Sequence, residues 1–212
     1  LGAPARAREG IDELYFMPFD PSNKRTEITY KQHSNGKTNR VSKGAPQVIL
    51  ALCRSGFADP KSFEALKTKV ETQIDQLAEN GYRAISVAEC SVPDGTVREE
   101  LPDAKWHYAG IIAIYDPPRD DSAETIKRAL DLGVMVKMIT GDQLAIGKET
   151  GRRLGMGTNM YESSIFDEKN AATIEATSGK ELGILLEEID GVAGVLPEHK
   201  YTFVKLLQER GH

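Results

Sequence analysis

The chain has 212 residues, 40% of them hydrophobic and 28% charged, with a net charge of −5; this is a globular composition able to bury one sizeable core or two smaller ones. The negative balance excludes nucleic acid as the main partner, since such a binder neutralises phosphates with a basic face, although local Lys and Arg can still grip a nucleotide. Cys53 and Cys90 lack the count and spacing of a disulfide framework or zinc site and read as buried thiols in a reducing compartment, and the longest apolar runs, residues 48–53 and 109–115, are far shorter than the roughly 20 residues of a membrane span, so the chain reads as soluble.

The chain opens on Leu1-Gly2-Ala3-Pro4 without an initiator Met and stops at Gly211-His212 just after a helical pattern, which reads as a piece cut from something longer. Residues 14–19 and 26–31 have strand character, and after the turn signal Ser34-Asn35-Gly36 residues 38–42 return as a third strand. Pro46 opens a short apolar helix to Cys53. Asp59-Pro60 then pairs a capping residue with proline at the first helical position. Phe63, Leu66, Val70, Ile74 and Leu77 recur every three or four residues, which predicts a second helix with one buried stripe, stopped by Gly81. Residues 82–90 and 106–115 supply two more strands, so the first half predicts an antiparallel sheet carrying two helices.

Asp116-Pro117-Pro118-Arg119 interrupts this pattern, because neither proline can donate a ladder hydrogen bond and each restricts the residue before it. A hinge is expected at 116–119, between a domain over 1–115 and a second over 120–212. The rhythm beyond it is a helix near 122–132, a strand at 134–139 and a helix near 143–154, the winding of a parallel α/β layer. Residues 155–180 are polar and irregular with one short strand; a helix near 181–188, a strand at 192–195 and a closing helix to Arg210 follow. The fold class is α/β. So few parallel strands leave a sheet edge exposed, open to pairing with missing strands or with another copy.

Met138-Ile139-Thr140-Gly141-Asp142 breaks from an apolar strand into a polar turn before a helix. Thr140 can offer a hydroxyl, Gly141 lets backbone N–H groups approach an anion, and Asp142 can cap the helix or help hold a cation. Plain capping chemistry accounts for the same tripeptide.

Lys43-Gly44-Ala45-Pro46, Asp116-Pro117-Pro118-Arg119, Thr140-Gly141-Asp142 and Pro197-Glu198-His199-Lys200 occur in that order. With them the chain resembles the cytoplasmic catalytic part of P-type ATPases, specifically the plasma-membrane proton-pumping ATPases, most closely along residues 116–126 and 138–150. The resemblance implies a nucleotide-binding domain up to residue 115, inserted into a phosphorylation domain of haloacid-dehalogenase type whose C-terminal half follows. It implies Phe19 stacking on adenine, Lys24 and Lys43, with Gly44, bordering the nucleotide, and Arg83 on its phosphate side. Arg119 would contact nucleotide and also pin the hinge. Thr140, Gly141 and Asp142 would meet the γ-phosphate, and Lys200 would stand over the transferring phosphoryl group; Lys200, Thr140 and Asp142 are thus supporting catalytic residues. His199 would be structural. The physics suits these roles: an aromatic face and cations fit a purine triphosphate, and a lysine stabilises phosphoryl charge as it develops.

The family's nucleophile is an aspartate followed by Lys-Thr-Gly, and no Asp here is followed by Lys-Thr; the later Thr-Gly-Asp-Gly motif, with its magnesium-holding aspartates, is absent too. No metal ligand is therefore assigned in this chain, and Mg2+ belongs to the parent protein. The expectation is ATP or ADP binding without turnover. The parent would be a proton exporter at the cytoplasmic face of the plasma membrane, cycling through an aspartyl-phosphate, with the remaining chain and its transmembrane helices as partner. Three alternatives stay open: a pump for another cation; a dehalogenase-type phosphatase, for which Glu188-Ile189-Asp190-Gly191 is the nearest nucleophile mimic; and an interaction module without nucleotide chemistry.

Overall fold

A computed structural model describes residues 6, 8–98, 101, 103–167, 170, 172 and 180–212. The opening Leu1-Gly2-Ala3-Pro4 lies outside the described residues, as do residues 99, 100 and 102 and part of the stretch expected to be irregular at 155–180. The chain divides into two compact units, one of Leu1–Ile74 with Ala84–Ile114 and one of Asp75–Arg83 with Tyr115–His212.

In the first unit β1 (Ile11–Asp20), β2 (Arg25–Gln32), β3 (Thr38–Gly44), β4 (Arg83–Val92) and β5 (His107–Ile114) form a five-stranded sheet in chain order. The ladders from β1 to β4 are antiparallel. β1 is longer than the expected strand and changes register twice against β2, between Glu13 and Tyr15 and between Met17 and Asp20, which bends this edge strand.

Period-two alternation gives the sheet two different faces. On one, Thr38, Arg40 and Ser42 lie opposite Val92, Cys90 and Ala88. Helix α1 (Pro46–Cys53) covers that face with Ile49 and Cys53, in a core shared with Trp106. Both cysteines are free and buried, and burial pushes their thiols up to about 11, so they are poor nucleophiles at neutral pH. Asp59 caps α2 (Pro60–Glu79), accepting from the backbone of Lys61 and Ser62 at 3.1 Å each. The predicted stripe then buries Phe63, Val70 and Ile74, the last two packed with Leu50. On the opposite face, register aligns Phe16, Ile28 and Val41 across β1, β2 and β3, and Lys43 lies opposite Thr26.

In the second unit β6 (Met138–Ile139), β8 (Gly191–Ala193) and β7 (Met160–Glu162) form a parallel sheet in the order β6-β8-β7. Around it are α3 (Ser122–Asp131), α4 (Leu144–Leu154), α5 (Leu182–Glu188) and α6 (Pro197–Glu209). Only 138–139 of the expected strand at 134–139 pairs, because β8 is three residues long and offers partners only to Met138 and Ile139. All three residues of β8 are buried, as in a parallel strand covered on both faces. Val192 joins a core with Leu185, Leu186, Ile189 and Phe203. Ala193 faces α4, where a Cβ on Gly147 would stand 3.4 Å from the Ala193 Cβ and 3.2 Å from the Met160 Cε, so the helix packs directly onto the strands. Among the described residues no helix is long and apolar enough to cross a membrane.

Candidate functional site

Two groups of candidate residues form, one in each unit. In the first, the hairpin register sets Asp20 opposite Arg25, and Arg25 opposite Gly44. Phe19, Lys24, Lys43 and Gly44 are therefore brought to one end of three adjacent strands. Asp20 staples the turn, accepting from the Ser22 backbone at 2.9 Å and the Asn23 side chain at 3.0 Å. Lys24 has a φ of +51°, the one described non-glycine residue in the left-handed region. Its N–H donates to the Asp20 carbonyl at 2.7 Å, and its carbonyl accepts from the Ala45 N–H at 3.0 Å.

Gly44 explains its own identity here. A Cβ at that position would lie 2.4 Å from the Lys24 carbonyl oxygen and 2.7 Å from the Arg25 Cα, so only glycine lets the two backbones meet. Phe19 is 61% exposed, and Lys24 and Lys43 are exposed beside it. Among the described residues, the ammonium groups of Lys24, Lys43 and Lys200 have no hydrogen-bond or ion-pair partner. An exposed ring with free cations at a strand end is chemically suited to a flat anionic ligand.

In the second unit, Thr140 leaves β6 into a tight loop. The Asp142 N–H donates to Thr140 Oγ1 at 3.1 Å, Thr140 Oγ1 donates to Asp142 Oδ2 at 3.2 Å, and Gly194 N–H donates to the Asp142 carbonyl at 2.7 Å. Val195 N–H donates to the Thr140 carbonyl at 3.1 Å, and α6 begins two residues later. The chain carrying Lys200 is thus fixed to the loop carrying Thr140. Lys200 stands exposed in the first turn of α6, while His199 Nδ1 accepts from the Leu196 N–H at 3.2 Å and its ring stacks on Phe166 at 5.5 Å.

Asp142 does not cap α4. Gln143 occupies the N-cap without a side-chain bond, because the Asp142 carboxylate is taken by Arg83, whose Nε and one terminal nitrogen donate to its two oxygens at 2.7 and 3.0 Å. Asp116 lies 3.8 Å from the same guanidinium. The hydrogen bonds from Arg83 to Asp142 push the guanidinium above its ordinary range. A cavity of about 230 Å³ opens here, lined by Arg83, Asp116, Pro118, Asp142, Glu149 and Arg153 among others. Arg119 is apart from this cluster, its side chain 88% exposed and 3.7 Å from Asp121.

Among the described residues no group of three or more His, Cys, Asp or Glu side chains gathers to hold a metal. Sequence reading missed several participants: the pairing of Arg83 with Asp142, 59 positions apart, Thr26 opposite Lys43, and the buried charges beneath Lys24 described below. Nothing local announces any of these.

Residues 5–121 match the family model for the P-type ATPase cytoplasmic domain N. More than half of the chain carries that match, and the chain therefore belongs to the P-type ATPases.

Proposed function

We propose that the strand end bearing Phe19, Lys24, Lys43 and Gly44 binds ATP, and that the chain is the nucleotide-binding domain together with the C-terminal half of the phosphorylation domain of a proton-exporting P-type pump. Adenine stacks on Phe19, over a floor that includes Thr26. Lys24 and Lys43 border the ribose and phosphates. Arg83 and Arg119 attend the phosphate side, with 116–119 as the hinge between the domains. Thr140, Gly141 and Asp142 meet the γ-phosphate, and Lys200 stabilises charge on the transferring phosphoryl group.

The observation that carries this reading is the contact of the Lys24 backbone with Gly44, which unites the aromatic ring and both lysines at one strand end of a domain whose family acts on ATP. The proton specificity is supported by the likeness to plasma-membrane proton pumps along residues 116–126 and 138–150. With no Asp-Lys-Thr in the sequence, this chain lacks the attacking carboxylate, and binding proceeds without turnover. One edge of β6 has no strand partner among the described residues, and Leu132, Val134 and Met135 stand exposed just before it. Further strands of a phosphorylation domain would fit there.

The test is a titration of the isotope-labelled chain with ATP and then adenosine, without magnesium. Amide shifts at Phe19 and Lys43 with both ligands, and at Arg83, 140–142 and Lys200 with ATP alone, are expected. Silence at Phe19 and Lys43 in a folded sample would overturn the assignment and favour an interaction module.

A further inference from the structure

Beneath the proposed adenine end, the helix-covered face of the sheet carries an unusual charge arrangement. Glu27 is 9% and Arg40 4% exposed. The Glu27 carboxylate is shared by two guanidiniums: one oxygen accepts from Arg25, and the other lies 3.6 Å from Arg40 Nε. Arg40 has further anchors, donating to Thr29 Oγ1 at 2.9 Å and to the Val97 carbonyl at 3.1 Å. Among the described residues Arg25 has one other side-chain bond, to Ser42 Oγ at 3.5 Å, and that hydroxyl itself donates to the Thr26 carbonyl at 3.2 Å. Of the two cations, Arg25 is therefore the one that depends on Glu27.

Arg25 directly follows Lys24, and a left-handed lysine persists only when its surroundings over-determine it. Two backbone hydrogen bonds and the close passage over Gly44 hold Lys24 from one side. The anchoring of Arg25 holds it from the other. We infer that Glu27 is a positioning residue of the nucleotide site: by drawing Arg25 under the sheet it fixes Lys24 in its left-handed conformation, and so sets where the Lys24 ammonium meets the phosphates. This rests on the ATP site proposed above. The proposed site residues themselves do not include Glu27, Arg25 or Arg40.

The experiment compares the unsubstituted chain with Glu27→Gln, each also carrying Lys24→Ala, using two readouts. The three-bond HN–Hα coupling and carbon shifts of Lys24, without ligand, report its backbone conformation. ATP and adenosine affinities report the site. In folded Glu27→Gln the Lys24 signals leave their left-handed values, ATP affinity falls about five- to tenfold and adenosine affinity changes less than about twofold. In the Lys24→Ala background the same change costs ATP less than about twofold, because two residues acting through one group are not additive. Unchanged Lys24 signals, or an equal ATP loss in both backgrounds, overturn the inference. Should Glu27→Gln fail to fold, Arg25→Met, which keeps the Glu27–Arg40 pair, is read by the same criteria. Failure of the unsubstituted chain to bind ATP would instead refute the proposed function, and the ligand-free Lys24 signals would still decide the role of Glu27.

Discussion

Phe19 has most of its ring in solvent, so removing it costs the fold little and a stacked ligand much. An aromatic contact contributes about 0.5–1.5 kcal/mol beyond its area. Phe19→Ala should accordingly weaken adenosine and ATP alike by about five- to tenfold while leaving the thermal midpoint within a degree or two; a parallel loss of midpoint would show that the ring serves the fold. Glu149 gives a prediction of a different kind. Hydrogen bonds from Arg152 at 2.7 and 2.8 Å and from Arg153 at 2.6 Å hold its carboxyl down to about 2, against an ordinary value of 4.5. A carboxylate depressed in the folded state contributes stability above its unfolded value, and that contribution is lost as pH falls through the folded one. Urea midpoints should therefore decline between pH 4.5 and 2, and Glu149→Gln should flatten the decline.

At the scale of elements, α4 approaches the sheet through Gly147. A methyl there would press on the Met160 Cε and Thr140 Cγ2 at 3.2 and 3.3 Å, and Gly147→Ala should destabilise the second unit by about 1–3 kcal/mol in urea unfolding. Much of the element pattern was legible in the residues. Asp59-Pro60 announced the start of α2, and the spacing from Phe63 to Ile74 gave its buried stripe. The faces of β2 were not legible. Ile28 and Tyr30 alternate with Glu27 and Thr29, a pattern that points the apolar pair inward, yet Glu27 and Thr29 are the buried pair. The reason is tertiary: Arg40, on the neighbouring strand, supplies the bonds that let a carboxylate and a hydroxyl be covered. The left-handed Lys24 was hidden similarly, since Gly44, 20 positions away in the sequence, is what makes room for its backbone. The candidate site was legible as motifs; its pairings, Arg83 with Asp142 above all, depend on contacts between distant residues that no local spacing encodes.

The whole molecule has a core in each unit, one around Ile49, Cys53 and Trp106 and one around Leu186, Val192 and Phe203. Trp106 is the single tryptophan and lies in the first unit, so its fluorescence follows that unit alone. Phe203, 1% exposed, anchors the second. Phe203→Ala should remove about 3–5 kcal/mol from the second unit, seen as early loss of its amide signals on heating, while the Trp106 transition stays in place. A common shift of both transitions would show that the two cores melt as one.

Lys137 carries one more consequence. Its Nζ donates to the Glu187 carbonyl at 2.5 Å and the Ile189 carbonyl at 2.7 Å, closing the end of α5, and burial lowers its proton affinity. An amine committed to two carbonyls is withheld from acylating reagents for as long as that corner stays shut, whereas the exposed lysines of the same chain react at once. Pulse acetylation read by mass spectrometry would thus use Lys137 as a built-in clock for the opening of the second unit, ticking only when α5 and β6 part.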